Sequence, residues 1–250
     1  MSHTENIIYP YSSQPNHKSG IIGRNFVKSN LMSRSPFAVL FDMDGVIVDS
    51  NPYHKTALRE FCEQHGYTLS EEALREKIYG RTNRDWIRNV FGALPEEIIK
   101  EYADEKEAIY RRHFEHDIKA AEGLPAFLQL LQKQNISRAI ATSAPRVNVD
   151  FTLSKTNLAD FFPVILDESF VRNGKPDPEI YLKTAAALGY DPKDCIVIED
   201  SLSGIEAGQR AGAKVIAITT THTHSELSHA DLIISDFVSL EISQLSGLLA

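Results

Sequence analysis

Six side chains in this sequence carry functional groups suited to phosphoryl transfer: four carboxylates, one hydroxyl and one ammonium. Asp42 and Asp44 stand two residues apart in Phe41-Asp42-Met43-Asp44-Gly45-Val46, and Glu199 and Asp200 are adjacent. Thr142 closes an apolar run, and Lys175 sits in Gly174-Lys175-Pro176. Carboxylates drawn together repel one another, and burying them uncompensated is costly. A divalent cation relieves that cost, and hard oxygen ligands supplemented by water suit Mg2+. The remaining hydroxyl and ammonium are what a phosphoryl group needs to spread its negative charge. In such a site Asp42 could attack phosphorus, and Asp44 could hand a proton to the leaving group.

These residues form one site only if the chain folds to bring them together. Short apolar runs at 37–41, 138–141, 163–166, 195–198, 215–218 and 232–234 have the continuous apolarity of strands buried on both faces. Helical patterns over 125–134, 146–157, 178–188 and 204–211 alternate with them, which predicts βα units and a doubly wound parallel α/β sheet. Ligands of such open sheets bind beyond the carboxyl ends of the strands. Asp42, Thr142 and Glu199 each end one of these runs, and Pro178 and Glu179 open a helix just after Lys175.

The interval 52–116 breaks the rhythm, with amphipathic helical stretches at 53–64, 71–78 and 95–114 and no strand-like run. A helical module inserted after the first strand is expected, entered near Ser50 and left near Gly123, which is the geometry of a hinged lid. The expected organisation is a polar, mobile extension over 1–35, an α/β core from 36–51 and 122–250, and a helical cap over 52–121.

The segment 41–46, Thr142 at its strand end, Gly174-Lys175-Pro176 and Ile198-Glu199-Asp200-Ser201 resemble, in order, the four motifs of the haloacid dehalogenase superfamily. The Asp-x-Asp form resembles its phosphoryl-transfer branch. Val48-Asp49-Ser50 followed by Tyr53-His54, and the run from Glu199 through Ala207, are similar to the β-phosphoglucomutase and phosphatase subgroup; the likeness spans about residues 37 to 240. The resemblance implies that Asp42 becomes an aspartyl-phosphate and that Asp44 is general acid and then base. It implies Mg2+ held by the Asp42 carboxylate, the Asp44 backbone carbonyl and Asp200, with Glu199 tuning the site. Thr142 and Lys175 would clamp phosphoryl oxygens, helped by backbone N–H groups near Met43 and Ser143.

In the mutase pattern a histidine, an arginine and a lysine of the cap engage the sugar phosphate. His54, Arg84 and Lys106 are the counterparts, Arg84 at a spacing one residue longer. The chain departs from that pattern after Thr142, where Ala144 and Pro145 offer no donor to a second phosphate and Arg146 would have to reach from one position further. Losing a second grip favours hydrolysis of a small phosphorylated metabolite. Intramolecular phosphoryl transfer is the alternative, followed by a signalling phospho-acceptor or a non-catalytic relative.

The remaining residues have plainer expectations. Thr142 is a candidate helix N-cap, Asp104 to Glu107 resemble a solvated helix face, and Trp86 is expected to pack the cap. His222, His224 and His229 fall in a strand-end loop without ligand spacing, so zinc is not expected there. The 250 residues hold 34 acidic and 26 basic side chains, a net charge of −8, which argues against non-specific grip on nucleic acid or an anionic membrane. Two cysteines make no disulfide framework, and the absence of a spanning run or signal peptide points to the cytoplasm.

Overall fold

A computed structural model describes residues 35–78 and 82–250. The expected N-terminal extension therefore lies outside the described residues, apart from Ser35. Six strands form one sheet, β1 (Ala38–Phe41), β2 (Ser137–Ala141), β3 (Val164–Leu166), β4 (Cys195–Glu199), β5 (Lys214–Ile218) and β6 (Leu232–Ile234). All pairings are parallel and the order is β3-β2-β1-β4-β5-β6. The chain works outward from β1 to β3 and then crosses back to β4, so the strand order reverses between β1 and β4. That is the switch point at which open α/β sheets bind ligands.

Nine helices accompany the strands among the described residues: α1 (Asn51–Gln64), α2 (Glu71–Lys77), α3 (Asn83–Phe91), α4 (Glu96–Phe114), α5 (Leu124–Lys133), α6 (Arg146–Thr156), α7 (Glu179–Leu188), α8 (Leu202–Ala211) and α9 (Ile242–Leu248). The first four are the inserted module. The chain leaves and re-enters the sheet layer at one place, where Val48 forms a bridge with Ala120 and the Ala121 N–H donates to the Ile47 carbonyl at 2.8 Å. Two helices go beyond the expected set. In α3 the apolar positions Trp86, Ile87, Val90 and Phe91 make too short a stripe to stand out, and the start is fixed by Thr82, whose hydroxyl accepts from the Asp85 N–H. In α9 a capping box of Glu241 and Gln244 substitutes for apolar periodicity. Thr142 is not the N-cap of α6. Pro145 occupies that position, and the Thr142 hydroxyl instead accepts from the Ala144 N–H at 3.1 Å.

Alternation along β1 supplies both halves of the core. Val39 and Phe41 face one layer and Ala38 and Leu40 the other, and all four are inaccessible. Phe41 meets the rings of Phe127, Phe162 and Phe237 at centroid distances of 6.4, 5.6 and 6.3 Å. Because Asp42 directly follows, this aromatic cluster anchors the strand end that presents Asp42. Phe41→Ala should cost about 3–5 kcal/mol of stability through lost burial and a residual cavity. Urea denaturation checks this, and a loss below 1 kcal/mol would show that the cluster does not hold the strand.

Candidate active site

Register does the first part of the assembly. Phe41 pairs with Ile140 of β2 and Ile198 of β4, and the Asp42 N–H donates to the Ile198 carbonyl at 3.0 Å. The residues that follow these positions, Asp42, Thr142, Glu199 and Asp200, consequently share one sheet edge. Lys175 arrives on the loop before α7, which is pinned at both ends. Glu179 accepts from the Arg172 and Asn173 N–H groups at 2.8 and 3.1 Å, and Arg210 donates to the Pro176 carbonyl at 2.9 Å. The Lys175–Pro176 peptide is cis.

Lys175 Nζ donates to Asp42 Oδ1 at 2.6 Å and to Glu199 Oε1 at 2.5 Å, with all three side chains under 10 % exposed. Lys175 is therefore a buried ion-pair partner and not a solvated turn residue. Glu199 is saturated: Oε1 also accepts from the Tyr181 hydroxyl at 2.9 Å, while Oε2 accepts from the Asp200 and Ser201 N–H groups and the Ser201 hydroxyl. Asp200 is different. Asn51 Nδ2 donates to it at 3.0 Å and the Thr221 hydroxyl bonds it too, but no cation lies within ion-pair distance among the described residues.

Asp42, Glu199 and Asp200 offer oxygens that all lie within 4.8 Å of one another, the one such group of metal-type ligands among the described residues. His222 lies 3.8 Å from Glu226 and belongs to no such group among the described residues. Three carboxylates and one ammonium give a formal −3 + 1 = −2 in a buried site, a balance and donor set that fit one hard divalent cation. The proton equilibria register the same deficit. Burial pushes the Asp42 carboxyl up to about 7, since Lys175 only partly offsets it and Glu199 adds repulsion. Burial, Glu199 and Asp42 raise Asp200 well above its ordinary value. For Lys175 burial favours the neutral amine, but Asp42 and Glu199 outweigh it and raise its pKa well above the usual value.

The turn after β1 is shaped by Gly45, at φ +82°, where a Cβ would sit 2.0 Å from Asp200 Oδ2. That turn delivers Asp44 to the insertion. Ser50 donates to Asp44 Oδ1 at 2.6 Å, and His54 Nε2 approaches the same oxygen at 3.5 Å. Burial alone would raise the Asp44 carboxyl, but these two bonds hold it below its usual range. His54 lies stacked on Tyr110, with centroids 3.7 Å apart, and its Nδ1 is 3.3 Å from Lys106 Nζ. Lys106 and its neighbour Glu107 are both about 5 % exposed, so the expected solvated face of α4 is half wrong. Asp104 is exposed, while Lys106 and Glu107 point inward.

The sequence-derived candidates thus separate. Asp42, Lys175, Glu199 and Asp200 form one cluster, and Asp44, His54 and Lys106 a second one adjoining it. Thr142 is buried at the end of the neighbouring strand, and Ser143 beside it is exposed. Arg84 is not brought in: its half-exposed side chain pairs with Glu96 at 2.7 Å. Arg146 likewise pairs with Asp150 at 2.8 Å, one turn along α6. Each finds its carboxylate close by on its own side of the molecule, which a count of spacings could not show. Asn51, Thr221, Tyr181 and Asn148 were not among the sequence candidates, while Ser50 entered only as part of a motif-like run and Glu107 only as a solvated charge. Thr221 had a signal in following a strand end, and Glu107 had one in lying three and seven residues before Tyr110 and Phe114.

Residues 39–218 match the model of the haloacid dehalogenase-like hydrolase family. The chain belongs to that family. A phosphorylated carbohydrates phosphatase of Thermotoga maritima is 35% identical over 184 residues, 72% of this chain and 83% of the relative. A haloacid dehalogenase hydrolase of Entamoeba histolytica superposes with TM-score 0.79 at 35% identity, covering 85% of this chain and 99% of that one. A β-phosphoglucomutase of Clostridium difficile gives 0.74 at 26%, covering 85% and 96%. Within the family the chain is a phosphoric monoester hydrolase of the β-phosphoglucomutase-like subgroup.

Two outcomes follow from this geometry. Protons and a cation compete for Asp42 and Asp200, whose pKa values are raised, so a hard divalent cation, probed with Mg2+, should bind more tightly at about pH 8 than at about pH 6 and release protons as it does so. Titration calorimetry in buffers of different ionisation heat measures both, and equal affinity at the two pH values would contradict it. Gly45→Ala should weaken Mg2+ binding by about tenfold to a hundredfold through displacement of Asp200, read in the same titration, while unchanged affinity would mean that the turn gives way freely.

Proposed function

We propose that this chain hydrolyses small phosphorylated carbohydrates, transferring the phosphoryl group first to Asp42 and then to water. The observation that carries this reading is the placement of Asp42, 2.6 Å from a buried ammonium and within a carboxylate triad, two residues from a second, differently tuned aspartate. The name of the Thermotoga relative supports the carbohydrate part. In this reading residues 36–51 and 122–250 are the catalytic core and 52–121 the cap.

In the first step an Asp42 carboxylate oxygen forms a bond to phosphorus, the bond from phosphorus to the sugar oxygen breaks, and Asp44 gives that oxygen its proton. In the second, water attacks phosphorus, Asp44 takes a proton from the water, and the Asp42–phosphorus link breaks to leave phosphate and a free carboxylate. Asp44 stands ionised at rest, ready for the second step. An entering phosphoryl dianion raises its pKa by like-charge repulsion and favours the protonated form that the first step needs. Lys175 orients Asp42 and, with Thr142 and the N–H of Ser143, faces the phosphoryl oxygens. Mg2+, held by Asp42, Asp200 and the Asp44 backbone carbonyl, would neutralise charge on the transferring group. Glu199 has no lone pair to spare and acts by anchoring Lys175.

Hydrolysis is favoured over mutase turnover by what surrounds Thr142. The side chains of Ala144 and Pro145 have no donor, the Ala144 N–H is given to the Thr142 hydroxyl at 3.1 Å, and Arg146 is engaged by Asp150. Phosphorus NMR of the protein with Mg2+ and a panel of sugar and polyol phosphates should show inorganic phosphate accumulating. Glucose 6-phosphate growing from β-glucose 1-phosphate primed with its 1,6-bisphosphate, without free phosphate, would replace hydrolysis by intramolecular transfer. Asp42→Asn should abolish turnover, and Asp44→Asn should slow both half-reactions by about 10²-fold or more. Activity surviving in Asp42→Asn would end the aspartyl-phosphate mechanism.

A further inference from the structure

Glu107 belongs to none of the four motifs, yet it lies where the insertion meets the sheet layer. Its Oε1 accepts from Lys106 Nζ at 2.5 Å and Asn83 Nδ2 at 3.0 Å, and its Oε2 accepts from Asn148 Nδ2 at 2.7 Å. Both amides are themselves oriented, because Trp86 Nε1 donates to Asn83 Oδ1 at 2.9 Å and Arg111 donates to Asn148 Oδ1 at 2.7 Å. Glu107 and Arg111, one turn apart on α4, therefore grip both ends of the Asn148 amide. Asn148 is fully buried on α6, the helix that follows the Thr142 loop. A single carboxylate thus joins α3 and α4 of the insertion to a helix of the core.

The consequence runs through Lys106. A lysine ammonium only donates, so the His54 Nδ1 at 3.3 Å from it must be the accepting nitrogen. That leaves the ring proton on Nε2, aimed at Asp44 Oδ1. A lysine on a four-carbon stem keeps this direction only if something else holds it, since its rotamer entropy opposes any single pose.

We infer that Glu107 is a positioning residue for proton transfer at Asp44: it fixes Lys106, thereby the tautomer and direction of His54, and Asn148 sets the whole chain in register with the core. The inference rests on Asp44 being the acid and base of the reaction proposed above. Its test uses two esters that differ in their need for that acid. An alkyl phosphate releases an alkoxide that must be protonated, whereas p-nitrophenyl phosphate releases a stable anion.

Glu107→Gln preserves shape and should lower the single-turnover rate of leaving-group release from the alkyl ester, the step in which Asp44 acts as acid, by about 10²-fold. The single-turnover burst of p-nitrophenolate should slow by less than about threefold, because that leaving group needs no acid, which also shows that the variant is folded. Asn148→Ala removes the link from the core side and should give the same selectivity at about tenfold, deciding the matter alone if Glu107→Gln is insoluble. Equal losses on both esters, or none, in the soluble variant would mean that Glu107 only holds helices together and would overturn the inference. A wild-type protein that turns over neither ester defeats the hydrolase reading itself, so the two failures are distinguishable.

Discussion

The arrangement depends on one buried ammonium shared by two carboxylates. Taking Lys175, Asp42 and Glu199 out of water carries a desolvation cost that their mutual attraction does not reliably repay, and removing one member of such a group leaves a buried charge unpaired. Structure on every side serves to make the contact unavoidable. The parallel register of β1 against β4 sets Asp42 beside Glu199, the Tyr181 ring lies 5.1 Å from the ammonium, and Glu179 and Arg210 pin the loop that delivers the lysine. A site held this firmly is preorganised for charge that arrives with a substrate, which is where electrostatic catalysis gains most.

Three neighbouring carboxylates take three roles because they differ in how many donors already occupy them. Glu199 accepts five hydrogen bonds and works as an anchor. Asp42 accepts one ammonium on Oδ1 and keeps a free oxygen for chemistry. Among the described residues Asp200 has only neutral donors, Asn51 and Thr221, and is the member with the strongest electrostatic reason to meet a cation. Gly204 follows the same logic, since a Cβ there would sit 1.7 Å from Glu199 Oε1, at a side chain too fully bonded to move aside.

Much of this was legible in the sequence. Continuous apolar runs located all six strands, because a strand covered on both faces has no polar alternation to obscure it. The strand-end rule then found Asp42, Thr142, Glu199 and Asp200. It failed for side chains whose role depends on another helix. Glu107 was hidden in a run of charges because a charge run on one helix reads the same whether the opposing surface is solvent or Asn148. Arg84 and Arg146 carried the converse error: the right charge near the right motif, each drawn off by a carboxylate within reach, Glu96 and Asp150. Ser50 and Asn51 were passed over as linker, although the crossing is where the two halves of the site meet.

That crossing bears on how the insertion acts. The first turn of α1 does not belong to the insertion alone. Ser50 bonds Asp44, Asn51 bonds Asp200 and Thr221, and His54 faces Asp44, while Tyr53 on the same turn donates to Asp117 near the return crossing at 3.0 Å. Beyond that turn the buried residues of α1, Ala57, Leu58, Phe61 and Cys62, join the apolar core that α4 also lines. A rigid swing of the whole insertion about Val48 and Ala120 would break the bonds of its own root to Asp44 and Asp200. Any movement of the insertion would therefore be concentrated further out, around α2 and α3, or else be coupled directly to the hydrogen bonding of Asp44 and Asp200. In the second case the state of Asp44 would report on that movement without any separate signal, because the same helix turn carries both.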